Sequence, residues 1–206
     1  MKRVFIVIFV MVFVVSGFGQ RTRHKRRVTK KPEQPHMDSA KQSVEMKKMT
    51  DTFVGMWKTT ATVEKGLLFA TAGMSEGRSD FRSGPSGNSL VERTRSHGVM
   101  GLFAGMGVYW WDAQAGAYES VWCDSLAATG CELMSNGQWD DKGLVFTAQI
   151  TMGQNTMHVK ATYSDITADS FTYTLEAGID DAPLVKAMTV QYQRSEPRTT
   201  VVTGSE

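Results

Sequence analysis

Trp57-Lys58-Thr59-Thr60-Ala61-Thr62-Val63-Glu64 is the stretch on which the fold turns. Trp57, Thr59, Ala61 and Val63 occupy alternate positions, and Lys58, Thr60, Thr62 and Glu64 fill the others. Strand side chains point alternately to opposite faces, so a period of two predicts one buried face and one wet face. A helix would show the three-to-four spacing instead.

Working outward, the same period recurs. Thr156 to Tyr163 sets Met157, Val159, Ala161 and Tyr163 on one face and Thr156, His158, Lys160 and Thr162 on the other. Phe171, Tyr173 and Leu175 share the inner face of a strand over Ser170 to Glu176. Met188, Val190, Tyr192 and Arg194 share a face of the last strand, Lys186 to Arg194. Further strands are predicted over Ser75–Arg82, Ser89–His97, Gly101–Trp111, Ala117–Asp124, Thr129–Gln138 and Leu144–Thr151. Turn signals separate them: Gly84-Pro85-Ser86-Gly87-Asn88, Asp112-Ala113-Gln114-Ala115-Gly116 and Asp140-Asp141-Lys142-Gly143. Short strands with turn signals at such regular spacing predict an all-β domain, a single antiparallel barrel of about ten strands. Ahead of it, Asp38 or Ser39 can cap a short helix running to about Thr50, whose apolar face is Met46, Met49 and Phe53. Its expected role is a lid or plug over one end of the barrel, with an exposed amphipathic helix as the alternative.

The N-terminus reads differently. Met1-Lys2-Arg3 is basic, Val4 to Val15 is unbroken apolar sequence, and Ser16-Gly17-Phe18-Gly19 offers small residues for cleavage. This is the layout of a secretory signal peptide over residues 1–19. The run is too short for a spanning helix, which needs about twenty residues. The positive charge that follows at once favours the alternative, retention as an anchor. The expectation is export, to a periplasmic or extracellular location.

Net charge is +2, but it is segregated. From Gln20 to Thr50 there are ten Lys/Arg against three Asp/Glu; from Asp51 to Glu206 there are eleven against eighteen. A basic linker (20–37, with Pro32 and Pro35) thus precedes an acidic domain (38–196), and a short tail (197–206) follows. Such a linker is expected to be solvated and extended. Arg21, Arg23, Lys25, Arg26 and Arg27 can meet acidic surfaces. Nucleic acid is not expected as a partner, since a basic footprint would have to continue onto the fold.

Cys123 and Cys131 lie on either side of a predicted hairpin loop. An oxidising compartment permits a bond between them. Cross-strand geometry is often poor for one, so two free, partly buried thiols are the favoured expectation. No third Cys or nearby His completes a metal-ligand set.

Two resemblances bear on architecture. Gly55-x-Trp57 on the first strand and Arg194 at the end of the last resemble the lipocalin and calycin pattern. That resemblance implies that Trp57 and Arg194 stack at the plugged end of the barrel. The middle of the chain, Gly105-Met106-Gly107-Val108-Tyr109-Trp110-Trp111-Asp112 and Tyr118-Glu119-Ser120-Val121-Trp122-Cys123-Asp124-Ser125, resembles the bacterial family known as domain of unknown function 1579. Gly137-Gln138-Trp139-Asp140 and the closing Met188 to Arg194 share the likeness, which spans roughly Thr50 to Arg194. It implies a lipocalin-like barrel and no activity.

No catalytic constellation emerges. Gly84-Pro85-Ser86-Gly87 is a turn, not a nucleophile elbow, and no phosphate loop or dinucleotide fingerprint occurs. Haem is disfavoured: of the two histidines in the barrel region, alternation turns His158 outward and His97 stands at a strand end. No cofactor is expected. The leading expectation is therefore a binding module for a small apolar or amphipathic molecule. Its alternative is an envelope interaction protein whose barrel is filled by Trp110, Trp122, Trp139, Phe146 and Phe171. The candidate ligand-contacting residues are Met106, Trp122, Asp124, Met157, Val159 and Tyr173, with Arg93 as a polar anchor if the Arg93-Arg95-His97 face turns inward.

Overall fold

The computed structural model describes residues 41–127 and 130–195. The predicted leader, basic linker and C-terminal tail lie outside the described residues, as do Asp38 and Ser39. One helix, Val44–Phe53 (α1), leads into ten strands. They are Gly55–Val63 (β1), Gly73–Ser83 (β2), Leu90–Gly98 (β3), Gly101–Asp112 (β4), Ala117–Asp124 (β5), Cys131–Trp139 (β6), Gly143–Met152 (β7), Asn155–Ser164 (β8), Ser170–Ile179 (β9) and Val185–Arg194 (β10). Each strand pairs antiparallel with its neighbours in sequence, and β10 returns to β1 to close the barrel. Closure removes the edge strands that an open sheet would leave unpaired.

Alternation holds where the sequence showed it most clearly. Trp57, Thr59, Ala61 and Val63 are the buried members of β1, and Met157, Val159, Ala161 and Tyr163 those of β8. Phe171, Val190 and Tyr192 are buried on β9 and β10.

The helix needs correction. It is capped by Ser43, whose side chain accepts a hydrogen bond from the Met46 N–H at 3.1 Å, and it continues to Phe53 rather than stopping near Thr50. Packing explains the extension. Met46, Met49 and Phe53 are all buried, and the Phe53 ring meets Phe81, Trp139, Tyr163 and Phe171 at centroid distances of 5.2–6.2 Å. The apolar stripe therefore has a further residue to seat before β1 begins. The chain then turns at Gly55, where φ is +143°. A Cβ at this position would run into the Arg194 guanidinium, so glycine is required twice over.

Trp57 and Arg194 face each other across the β1–β10 seam, and the guanidinium carbon lies 4.1 Å from the indole centroid. Arg194 also donates to the carbonyls of Ala168 (2.6 Å) and Val54 (3.0 Å). The Trp57 indole N–H donates to the Phe53 carbonyl at 2.9 Å. One cation thus ties the helix exit and the β8–β9 turn to the closing strand.

Cys123 and Cys131 are direct cross-strand partners on β5 and β6 and are joined by a disulfide. The expectation of free thiols is overturned. Partners placed directly opposite across an antiparallel pair bring their Cβ atoms close, and here the hairpin register does so.

Candidate functional site

The barrel has two dissimilar ends. At the α1 end the interior is a continuous aromatic pack of Phe53, Trp57, Phe81, Phe171 and Tyr192, with Trp139 against it. A void of about 10 Å³ lies against this pack. Beyond it lies a cavity of about 350 Å³, running toward the loops that join β1 to β2, β3 to β4 and β5 to β6. Tyr109 and Tyr163 border both spaces.

The cavity walls are mainly apolar. Met157, Val159 and Ala177 form a buried cluster with Leu68, Ala148, Ile150 and Leu175, and most of its members line the cavity. Met100, Phe103 and Leu126 contribute from the loop end. Among the described residues, two charged side chains line it, Glu92 and Asp124.

Glu92 sits in β3, on the face defined by Leu90 and Thr94, and is 1% exposed. Its Oε1 accepts from the Ser79 hydroxyl at 3.0 Å and from Tyr192 at 3.2 Å. Its Oε2 accepts from Tyr109 at 3.0 Å, and the Tyr109 and Tyr163 hydroxyls lie 3.0 Å apart. When Tyr109 donates to the carboxylate, Tyr163 can donate to Tyr109, and the network runs as a relay toward one acid. Burial pushes the Glu92 carboxyl up to about 7, and the hydrogen bonds from Tyr109, Ser79 and Tyr192 pull it back only in part. Tyr173, also on the cavity wall, is raised by burial and by the nearby Glu92 charge.

Asp124 stands nearer the loops. Its Oδ2 accepts from the Trp122 indole N–H at 2.8 Å, while Oδ1 accepts from the backbone N–H groups of Leu126 and Ala127. It caps the β5–β6 turn and holds the Trp122 ring in place at once. Gly105 on the facing strand leaves room for that ring, since a Cβ there would come within 2.5 Å of it.

Of the residues singled out from the sequence, Trp122, Asp124, Met157, Val159 and Tyr173 line this one cavity. Arg93 and Met106 do not. They are direct cross-strand partners on β3 and β4, and both are exposed on the outside of the barrel. The anchor reading of Arg93 had β3 facing the wrong way. Leu90 and Glu92 take the inside, and an offset of one residue reverses every side chain of a strand. Trp110 is likewise displaced, since Tyr109 and Trp111 on either side of it pack on the core. His97 is exposed, and among the described residues no histidine lines the cavity.

Glu92 was the residue the sequence reading missed, together with its partners Ser79 and Tyr109. A signal was present. Tyr163, Tyr173 and Tyr192 were all expected on inner faces, and buried phenols need acceptors.

The family model described as "Protein of unknown function (DUF1579)" matches residues 41–194. The chain belongs to this family. The match begins just ahead of α1 and ends with β10, so the DUF1579 unit includes both the plug and the barrel. Comparison with curated proteins gave no match. Among solved structures, the DUF1579 barrel is similar to a redesigned beta barrel, at 15% identity and a TM-score of 0.33, with 77% of this chain and 100% of the other covered. It is also similar to EF1p2_mFAP2b bound to DFHBI, at 14% identity and a TM-score of 0.39, covering 73% and 99%.

Proposed function

We propose that this barrel is a binding module for a small apolar or amphipathic molecule. The observation that carries the reading is the contrast in packing: about 350 Å³ is left open in one half of a barrel whose other half closes to a void of about 10 Å³. Ligand pockets typically span roughly 300–1,000 Å³, with apolar walls and a few convergent polar groups. Here the polar groups are the Glu92–tyrosine network at one end and Asp124 with Trp122 at the other. Among the described residues no nucleophile and base converge on the open space, which favours holding over chemistry.

Two experiments test this reading. Native mass spectrometry of protein purified from its own host is expected to retain a bound small molecule. A panel of apolar ligands is expected to quench tryptophan fluorescence through Trp122 and to raise Tm. A panel that does neither removes the binding reading in favour of a structural one.

The layout of residues 1–19 supports export of the chain, which N-terminal sequencing of the mature protein checks. The charge of Arg21, Arg23, Lys25, Arg26 and Arg27 supports contact of the exported arm with acidic surfaces.

A further inference from the structure

Glu92 is a buried acid whose hydrogen-bond partners are all neutral hydroxyls. Among the described residues, no Lys, Arg or His side chain lines the cavity that it borders, and Asp124, the second charged lining residue, is also acidic. A carboxylate withdrawn from water is costly unless a cation accompanies it. Ser79, Tyr109 and Tyr192 spend their protons on the carboxylate, so the remaining capacity of the two that line the cavity, Tyr109 and Tyr192, is as acceptors. Tyrosine and phenylalanine rings on the same wall present π faces, which attract cations. An anionic head group meets only acidic charge at either end.

We propose, on the binding reading above, that the ligand supplies the missing cation: a small amphipathic amine, its apolar body against Val159 and Leu175 and its ammonium at the Glu92–Tyr109 end. Tyrosines from β4, β8, β9 and β10 (Tyr109, Tyr163, Tyr173 and Tyr192) and Ser79 from β2 face this acid, and Asp124 from β5 lies nearer the loops. The raised Glu92 carboxyl is consistent with a site that lacks its counter-charge. Arrival of an ammonium would favour the ionised form, so binding near pH 6 should release the Glu92 proton to solvent.

Decylamine, decanol and decanoic acid share one chain length and differ in head group, so they separate the possibilities on the full chain. At pH 7 decylamine should bind at least about tenfold more tightly than decanol, and decanoic acid most weakly. Calorimetry at pH 6 in two buffers of different ionisation enthalpy should show about one proton released per decylamine and none per decanol. Glu92→Gln should erase both the amine preference and the proton release. If that variant does not fold, the ligand order and the proton count on the unaltered chain decide. Equal binding of amine and alcohol without proton release, or a preference for the acid, overturns the amine proposal and leaves the binding reading standing. Binding of none of the three overturns both.

Discussion

The two halves of this barrel are built from the same ten strands and are used in opposite ways. In the α1 half, aromatic rings from the helix and the barrel walls interlock, the Phe171 and Tyr192 centroids lying 4.2 Å apart. In the loop half, Ala61, Ala148, Ala161, Ser120 and Thr94 line the cavity of about 350 Å³. The helix supplies Phe53, Met46 and Met49 to one half, and small side chains leave room in the other. A protein that needed only stability would carry larger residues at those small positions, because unfilled volume forfeits dispersion contacts.

The comparison breaks first, and hardest, in the packed half. Trp57→Ala is expected to cost about 3–5 kcal/mol, as for deletion of a large core side chain. Arg194→Ala should cost less, and the pair in a double-mutant cycle should couple by about 0.5–2 kcal/mol. Strictly additive losses in chemical denaturation would mean that the stack contributes nothing.

Glu92 is the next test, because it lies where the two halves meet. Its folded-state carboxyl titrates near 7 against an ordinary 4.5. Between those values the folded chain holds a proton that the unfolded chain has lost, so stability falls as pH rises. The contribution is fully present below about pH 4.5 and gone above about pH 7, a loss of about 3 kcal/mol. Glu92→Gln should flatten that slope in urea titrations across this window. An unchanged slope would mean that the acid stays ionised throughout.

Much of this was legible beforehand, and the parts that were not share a cause. Trp57, Met157 and Val159 were assigned to the interior correctly because long, unbroken alternation fixes a strand's facing. The strand carrying Glu92 and Arg93 offered a charged residue on either face. Periodicity cannot choose between two charges when the deciding fact is a set of partners on other strands. Ser79 and Tyr192 reach Glu92 from positions 13 and 100 residues away, a convergence that only the closed sheet produces. Asp124 was expected as a cavity residue, and the turn-capping role of its second oxygen depends on how the β5–β6 loop closes.

The loop half is sharpened by filling it. Val159→Trp should abolish ligand-induced fluorescence quenching and change stability by less than about 1 kcal/mol, since the added ring enters open volume rather than a packed wall. A variant that unfolds would show that the space is not available in solution. Smallest of all, Arg93→Ala on the outer surface should shift stability by no more than about 0.5 kcal/mol and leave ligand affinity unchanged. A clear loss of affinity would return Arg93 to the site from which its exposure excludes it.

The seam between β1 and β10 has a consequence for how the chain folds. Nine of the ten strand pairings join neighbours in sequence and can form as local hairpins, whereas this one brings Trp57 to Arg194 across nearly the whole domain. Long-range pairing incurs its loop-closure entropy before any contact offsets it, which makes such steps slow. Since every strand is flanked by its sequence neighbours, the order of strands is circular, and the nick in the ring is in principle movable. A permuted chain opened in the β5–β6 loop, with a linker joining the ends at the seam, would make the β1–β10 pairing local and the disulfide hairpin the distant one. Such a chain should reach the same barrel, with the slow step moved from one side of the cylinder to the other.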